Sequence, residues 1–492
     1  MFSISIRDST GFATGETKEK SVKPNFAQTE ILQNDEKNCQ VPQRESVQVQ
    51  TDTKEKKGDI FVEFDVNNLS NFLSRVTPLV CSVLEKNVKS QAFHRYNLLS
   101  DNDDSTISCK YLLEKSLPSD FCCNFVSWNS VGTAVAAAYG SRSHKSWCDH
   151  DSSVGVWSLN RKDFDSKKPN AILETDCCIT HVTFHPDLPA ILLAGKFNGE
   201  IVLWNISKED DPLLGSSQNA LGSHREPITG LFWIHSFKAQ DSLEFVSCSL
   251  DGKILLWKLE NGELVPYDGF IILIEQLPRS FSVKTSKENS EVGVTSLSIN
   301  CEDQSIFIIG IEGGGIFQCS FNSLVPASYS GYSSVSLKNP ITMSFEPHKG
   351  QVTSVHFSPF SRNIFLSAGS DGELRIYNLL KPKPLVTFQI PNGSITAAQW
   401  SPVRPSVLSC ICNCGKLHIW DVTANEKLLT ESFTLTSSQS GGLSLQHNKE
   451  NTNLLATSFT NGQIQVWELP GTVLKTGIEE MKKLQALAKN ID

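Results

Sequence analysis

Residues 228–260, ITGLFWIHSFKAQDSLEFVSCSLDGKILLWKLE, contain the pattern that decides the fold. Three short apolar stretches are separated by polar turns, and the last stretch leads to Trp257. Asp251 and Gly252 form the tight turn before it. Apolar stretches of this length, bounded by turn residues, are typical of β-strands. Such a unit cannot bury its apolar faces alone, so the segment predicts an array of similar units.

The same arrangement recurs along the chain and usually ends near an aromatic residue. Four further units are clear, at 179–207, 352–380, 395–423 and 442–470. Two are degenerate: one reaches its aromatic residue only after the polar insertion SRSHKSWCDHDS at 141–152, and the unit at 294–322 lacks a terminal Trp. The aromatic positions are Trp157, Trp204, Trp257, about 317, Tyr377, Trp420 and Trp467. Most steps are near the roughly 40–45 residues of a WD repeat plus its loops.

The repeats resemble the WD-repeat family over about three quarters of the chain. The resemblance implies an all-β fold, a seven-bladed WD-repeat β-propeller with four-stranded blades. In this family a His, an Asp and the Trp form a buried hydrogen-bond network. The matching positions are His224, Asp251 and Trp257 in one unit and His348, Asp371 and Tyr377 in another. We interpret them as structural rather than catalytic, and we expect the other blades to depend on packing alone.

The two ends of the array predict how the ring closes. Few residues separate Trp467 from a helix-like tail at 476–492, so the last unit lacks a fourth strand. Residues 105–115 precede the first unit and could supply it, which gives a propeller over 105–475. Closure removes the exposed sheet edges that invite aggregation. The tail itself could dock on the ring or stay free.

The region before the propeller has a different composition. Residues 1–64 are rich in Lys, Glu, Gln, Thr and Ser and predict a disordered arm. Residues 65–98 predict an amphipathic helical segment, with a kink at Thr77 and Pro78 that divides it into two short helices. Its apolar stripe consists of Leu69, Phe72, Leu73, Val76, Val80, Val83 and Leu84. Either the chain's own domain or a groove of a partner could cover this stripe.

Composition argues against several functions. The net charge of -9 and the pI near 5.7 disfavour a nucleic-acid binder. No apolar run approaches the roughly 20 residues that span a bilayer, so no membrane insertion is expected. The 14 cysteines lack two separated C-x-x-C pairs, so we predict buried, reduced thiols and neither a metal nor a cofactor. Gly313, Gly314 and Gly315 lack the Lys-Ser/Thr of a phosphate-binding loop, and no other catalytic motif indicates an enzyme.

Two Gln-Thr sites in the arm are candidate linear motifs. The second alternates in a way that suits an extended chain adding as a strand to a partner's sheet. The candidate residues are Ala27, Gln28 and Thr29 in the first site and Val47, Val49, Gln50, Thr51 and Asp52 in the second.

An arm with two Gln-Thr sites, an amphipathic helix and a seven-bladed propeller together resemble the dynein intermediate chains. The resemblance implies that the Gln-Thr sites bind dimeric light chains of the eight-kilodalton type. It implies that the helix carries a roadblock-type light chain and that the propeller binds the dynein heavy chain. The light chains would staple this arm to that of a second intermediate chain. The arm lacks a long charged coiled coil, and in this it is similar to the smaller intermediate chains of cytoplasmic dynein-2, the dynein of intraflagellar transport.

We therefore expect a non-catalytic scaffold subunit of a dynein complex, acting in retrograde intraflagellar transport and cilium assembly. Its expected location is the cytoplasm, the cytoskeleton, the cilium and the ciliary base. An axonemal dynein intermediate chain is one alternative. A substrate receptor of a ubiquitin ligase is another, although the Arg that such receptors often carry two residues after the repeat's Asp is missing here.

Overall fold

The computed structural model describes residues 66–89, 107–208, 210–234, 244–278, 290–390, 393–422, 426–431, 440–474 and 478–489, apart from short gaps at 142, 145–146, 330 and 332. The chain divides into two compact units, Met1–Tyr96 and Asn97–Asp492.

In the first unit the described residues form one helix, α1, Val66–Lys89. Pro78 lies inside it, so the two short helices that we predicted are a single element. A proline removes one backbone donor and crowds the preceding turn, which explains why the sequence suggested a break. The remaining hydrogen bonds on both sides of the proline are sufficient to continue the helix.

In the second unit the described strands form seven four-stranded antiparallel blades, and the seven-bladed propeller predicted from the sequence is confirmed. One strand, β1, Ser108–Leu113, precedes the first blade. The others follow in chain order, from the inner to the outer strand of each blade: β2 Phe121–Trp128, β3 Ala134–Ser141, β4 Ser152–Ser158, β5 Ala171–Thr175; β6 Ile179–Phe184, β7 Ile191–Lys196, β8 Ile201–Asn205, β9 Leu213–Ser216; β10 Ile228–Ile234, β11 Glu244–Ser249, β12 Lys253–Glu260, β13 Glu263–Ile271; β14 Val294–Ile299, β15 Ile306–Ile311, β16 Ile316–Ser320, β18 Ile341–Ser344; β19 Val352–Phe357, β20 Ile364–Gly369, β21 Glu373–Asn378, β22 Val386–Gln389; β23 Ile395–Trp400, β24 Val407–Cys412, β25 Leu417–Asp421, β26 Glu426–Glu431; and β27 Gly442–His447, β28 Leu454–Phe459, β29 Ile464–Glu468. A short 3-10 helix, Ile274–Gln276, and strand β17, Leu337–Lys338, lie in the connections.

The core of this unit lies between the blades. Among the described residues there are seven apolar clusters, and each joins two neighbouring blades. Strands β7 and β20 are buried along their whole length, which explains their continuous runs of small and apolar residues. A strand covered on both faces has no solvent-facing positions to alternate with, so its sequence loses the polar–apolar period.

Threonines tie the inner strands of adjacent blades together. Thr180 donates to the carbonyl of Ile228 at 2.6 Å, and Thr229 donates to that of Val294 at 2.7 Å. Each carbonyl belongs to the inner strand of the next blade. The seven inner strands surround a central cavity of about 600 Å³. These bonds connect the inner strands of neighbouring blades by side chain as well as by packing.

Strand β1 completes the last blade. It pairs antiparallel with β29, with Ser108 opposite Glu468 and Leu113 opposite Ile464. Lys110 and Glu468 form an ion pair at 3.1 Å across this junction. Leu113 then enters the apolar cluster that joins the last blade to the first, so the ring is closed by the first strand that the structure describes.

Within the described residues, the last blade is followed by helices α2, Gly471–Leu474, and α3, Ile478–Lys489. Leu484 of α3 is fully buried in the cluster between the fifth and sixth blades. Glu480 accepts hydrogen bonds from Arg404 at 2.9 Å and from Ser406 at 3.0 Å. Of the two possibilities for the tail, the structure shows the docked one.

In the fourth blade the structure corrects the predicted position of the aromatic-equivalent residue. In the third blade Trp257 faces Phe245 and follows Ile254 by three residues. In the fourth blade the residue with the same relation to the strand is Cys319, which faces Phe307. The aromatic-equivalent position is therefore 319 rather than about 317, and the aromatic pattern missed it because a thiol occupies the place.

Candidate functional site

The third blade contains a continuous buried network. Nδ1 of His224 lies 3.1 Å from Oδ1 of Asp251, and Nε2 lies 2.6 Å from the hydroxyl of Ser247. Nε1 of Trp257 donates to the same hydroxyl at 2.7 Å. Ser247 thus links His224 to Trp257, although the sequence pattern identified only the His, the Asp and the Trp.

Asp251 is held as a carboxylate by its neighbours. Burial raises its pKa, but His224 and Lys253 outweigh that effect, and the pKa lies below its ordinary value. Its oxygens also accept backbone hydrogen bonds from Arg225 at 3.2 Å and Lys253 at 3.0 Å. A carboxylate with this many donors fixes the turn between strands and has no spare capacity for acid–base chemistry.

The fifth blade has the same core with a different outer contact. His348 lies 3.1 Å from Asp371 and 2.7 Å from the hydroxyl of Ser367. Tyr377, which replaces the Trp, donates instead to the carbonyl of Glu346 at 2.8 Å. The longer reach of the phenol therefore connects the blade to the preceding loop rather than to the serine.

The remaining blades keep less of this network. In the last blade Trp467 donates to Thr457 at 2.8 Å, so it does not depend on packing alone as we expected. In the first two blades Ala137 and Ala194 occupy the place of Ser247, and an alanine has no hydroxyl to accept. Accordingly, the buried Nε1 of Trp157 has no acceptor among the described residues.

Helix α1 presents an apolar face. Its predicted stripe residues are exposed except for the half-buried Val76. Leu69, Phe72, Leu73, Val80, Val83 and Leu84 are 46–56% exposed, and Leu79 beside them is 65% exposed. Exposed apolar side chains in a row along one helix are typical of a binding surface. The two Gln-Thr sites, at 27–29 and 47–52, lie outside the described residues.

Three strands from separate parts of the chain, β9, β13 and β17, meet at one outer rim. Outer strand β13 pairs in parallel with β9 of the preceding blade, through Glu263 and Ser216. It also pairs in parallel with β17, through Gly269 and Leu337. The rim is therefore one sheet shared by two blades and a connection of a third, which we call the joined rim (β9, β13 and β17). The segments around it carry the exposed side chains of Leu213, Leu221, Leu324 and Val325.

The structure also gathers a set of side chains that sequence reasoning missed. His144, Cys148 and His150 of the polar insertion lie beside Cys178, and one potential ligand atom from each is within 4.8 Å of all the others. The signal in the sequence is the H-x-x-x-C-x-H spacing at 144–150, but the fourth residue of the cluster, Cys178, lies far along the chain from it. A second group, His348, Asp371 and Glu373, belongs to the network of the fifth blade.

No helix within the part of the chain that the structure describes is long and apolar enough to cross a membrane.

Comparison of the sequence with known proteins shows which family the chain is similar to. The model of the WD domain, G-beta repeat, matches residues 339–378 and 382–421. The first match ends with β21, the third strand of the fifth blade, and the second ends with β25, the third strand of the sixth blade. The chain is 33% identical to cytoplasmic dynein 2 intermediate chain 2 of Mus musculus over 483 residues, covering 97% of this chain and 89% of that one. It is also 33% identical to the protein of that name from Homo sapiens, over 87% of this chain and 81% of that one.

A more distant relative aligns over less of the chain. The 78 kDa intermediate chain of the flagellar outer arm dynein of Chlamydomonas reinhardtii is 25% identical over 309 residues, 62% of this chain and 42% of that one. Each of the three is named as an intermediate chain of a dynein.

Proposed function

This chain belongs to the family of dynein intermediate chains, and from that premise we propose that it is a non-catalytic scaffold of a dynein-2-type motor that links light chains to the heavy chain. The observation that carries the proposal is the extent of the similarity. The match to the mouse protein covers 97% of the chain, which includes residues upstream of the ring as well as the ring itself. A shared propeller alone would not produce an alignment of that length.

The propeller is the proposed site of heavy-chain binding, and the joined rim is the surface that we assign to it. The exposed apolar side chains of Leu213, Leu221, Leu324 and Val325 lie on segments that converge there. Lys338 and Asp268 form an ion pair at 2.7 Å within the rim, which fixes β17 against β13. A rigid rim with exposed apolar residues suits a stable interface within a complex.

Helix α1 is the proposed site of a roadblock-type light chain. An amphipathic helix binds a partner by placing its apolar face in a groove, with anchors three and four residues apart. Phe72 and Leu73 lie at the centre of the stripe that fits this mode, and both are about half exposed. Upstream, the Gln-Thr sites are the proposed sites of eight-kilodalton light chains, which would also staple the chain to a second intermediate chain.

Such a subunit acts with the motor in retrograde intraflagellar transport and cilium assembly, in the cytoplasm, on the cytoskeleton, in the cilium and at the ciliary base. The axonemal alternative is less well supported because the flagellar outer-arm relative aligns over only 62% of this chain. Nothing in the comparisons favours the ubiquitin-ligase alternative.

The test is to identify by mass spectrometry what co-purifies with the tagged full-length chain from ciliated cells, beside a chain that lacks residues 1–98. We expect dynein heavy chain with both, and light chains only with the full-length chain. A joined-rim variant, Leu221→Asp with Leu324→Asp, should lose the heavy chain and keep the light chains. Recovery of ubiquitin-ligase subunits without dynein would overturn the proposal.

A further inference from the structure

The insertion between β3 and β4 and the turn before β6 meet at the side of the first blade. The insertion supplies His144, Cys148 and His150, and the turn supplies Cys178, which is buried. Cys148 and Cys178 are 30 residues apart in sequence, yet the backbone N–H of Cys178 lies 3.2 Å from the sulfur of Cys148. The four side chains therefore converge from two separate segments.

We propose that His144, Cys148, His150 and Cys178 bind a structural zinc ion. The proposal is independent of the dynein assignment. Two thiolates and two imidazoles are one of the ligand sets that hold zinc in closed, four-coordinate structural sites. None of the four is a carboxylate or a carbonyl, so the set does not suit magnesium or calcium.

The spacing of the ligand atoms suits a tetrahedral ion. With zinc–nitrogen bonds of about 2.0 Å and zinc–sulfur bonds of about 2.3 Å, neighbouring ligand atoms lie about 3.3–3.8 Å apart. Nε2 of His144 lies 3.3 Å from the sulfur of Cys148, and Nδ1 of His150 lies 3.8 Å from it. All four ligand atoms lie within 4.8 Å of one another, so small side-chain adjustments bring them to one centre.

The surroundings hold these ligands in place. The ring of His144 stacks on Phe197 with centroids 3.8 Å apart, and the ring of His150 meets the edge of Phe121 at 6.0 Å. The backbone N–H of Ser141 donates to the sulfur of Cys178 at 3.1 Å. Contacts that orient imidazoles and N–H groups that stabilise thiolates are the outer-shell features of zinc sites.

The role that follows is to anchor the insertion to the next blade. The insertion is almost entirely polar, and its one large apolar side chain, Trp147, is 82% exposed. Apolar burial therefore cannot hold it, whereas one metal ion would connect it to the start of β6. A disulfide between Cys148 and Cys178 would also connect the segments, but it would leave the convergence of the two imidazoles unexplained.

The test is the zinc content of the full-length chain, purified without chelators and measured by inductively coupled plasma mass spectrometry. We expect about one zinc per chain, reduced to less than about a tenth by Cys148→Ser or by Cys178→Ser. Cys177→Ser and Cys414→Ser remove thiols outside the set and should retain the metal. A wild-type chain without zinc would overturn the proposal, as would intact-mass evidence of a Cys148–Cys178 disulfide or loss of zinc in Cys177→Ser alone.

A second measurement keeps the proposal testable if the serine variants do not fold. The zinc of the wild-type chain is exchanged for Co²⁺, whose absorption reports tetrahedral geometry and bonds to sulfur. We expect tetrahedral bands with thiolate charge transfer, and His150→Asn should change them without abolishing the sulfur signal. A spectrum of octahedral Co²⁺ without sulfur ligation would exclude the site.

Discussion

At the scale of single residues, the hydroxyl of Ser247 decides how the third blade is held together. It lies between His224 and Trp257, and it is the hydrogen-bond partner of Nε2 of His224 and of Nε1 of Trp257. The sequence identified the His, the Asp and the Trp because they occupy fixed places in the repeat. It did not identify the serine, because a serine inside a strand looks like any small residue until its neighbours are known.

We predict that Ser247→Ala lowers the free energy of unfolding by about 1–3 kcal/mol, because two buried polar groups lose their partner. Ser367→Ala is the matched control. It is equally buried and bonds to His348, but Tyr377 finds its acceptor at Glu346 instead. Chemical denaturation followed by tryptophan fluorescence should show a larger loss for Ser247→Ala. Equal losses would mean that the bond from Trp257 contributes nothing.

A second residue-scale prediction concerns the arm. Gln50→Ala with Thr51→Ala should weaken binding of the eight-kilodalton light chain by about tenfold or more, which corresponds to about 1.4 kcal/mol. The thermal stability of the propeller should not change. Titration calorimetry with the purified light chain measures the first quantity, and Gln33→Ala with Asn34→Ala is a control elsewhere in the arm. Unchanged affinity would remove this site from the scaffold proposal.

At the scale of elements, α1 and α3 show what a sequence pattern can and cannot predict. For α3 the indication of a helix was a Lys- and Glu-rich composition, and for α1 it was the period of apolar residues. Neither indicated what covers the apolar face, since that depends on the shape of a surface elsewhere. Leu484 of α3 is fully buried, whereas Phe72 and Leu73 of α1 are about half exposed. The interruption at Pro78 suggested two short helices, but Pro78 lies within the continuous helix α1.

For α1 we predict that Phe72→Asp with Leu73→Asp releases the roadblock-type light chain, because two charges cannot enter an apolar groove without a large desolvation cost. Affinity should fall at least about tenfold in a pull-down or calorimetric assay. Asn71→Asp with Ser82→Asp places the same charges on the opposite face and should bind normally. If the charged pair instead lowers the melting temperature of the ring, the stripe belongs to the chain's own core.

For α3 we predict that Leu484→Ala lowers the free energy of unfolding by about 2–4 kcal/mol, since it leaves a cavity between the fifth and sixth blades. Gln485→Ala, at an exposed neighbouring position, should have almost no effect. Denaturant unfolding of the full chain provides the comparison. Equal stability of the two variants would show that the tail adds nothing to the ring.

At the scale of the whole molecule, the fold could be predicted because it is repeated. Each unit repeats the same spacing of strands and turns, so a unit with a weak pattern can be aligned with the clearer ones. Among the seven predicted aromatic positions, only that of the fourth unit, now Cys319, was misplaced. The joined rim and the His144–Cys178 cluster occur once each. They depend on contacts between segments far apart in sequence, for which a single sequence carries no repeated signal.

The whole ring should also respond to acid. Burial lowers the pKa of His181 to about 3, and burial together with His356 lowers that of His447 to about 3. In the unfolded chain a histidine titrates near pH 6.5. Between these values the unfolded state binds more protons, so each histidine reduces stability by up to about 1.4 kcal/mol per pH unit as the pH falls below about 6.5.

We therefore predict that the free energy of unfolding decreases from pH 6.5 to pH 5, measured by urea denaturation at each pH. The double variant His181→Gln with His447→Gln should show a smaller slope over this range. The pKa values of Asp251 and Asp371 lie below the ordinary value despite their burial. These two residues therefore change the free energy of unfolding only at lower pH. An unchanged slope in the double variant would assign the acid sensitivity to other groups.

The pairing of β1 with β29 has a consequence for how the protein is made. On the ribosome β1 emerges about 350 residues before its partner, so at about 5–20 residues per second it waits roughly 20–70 s with an unpaired edge. The six complete blades can form during that interval, but the last blade cannot. The ring therefore closes only after β29 has been synthesised, and the segment upstream of β1 is available to other proteins before that point.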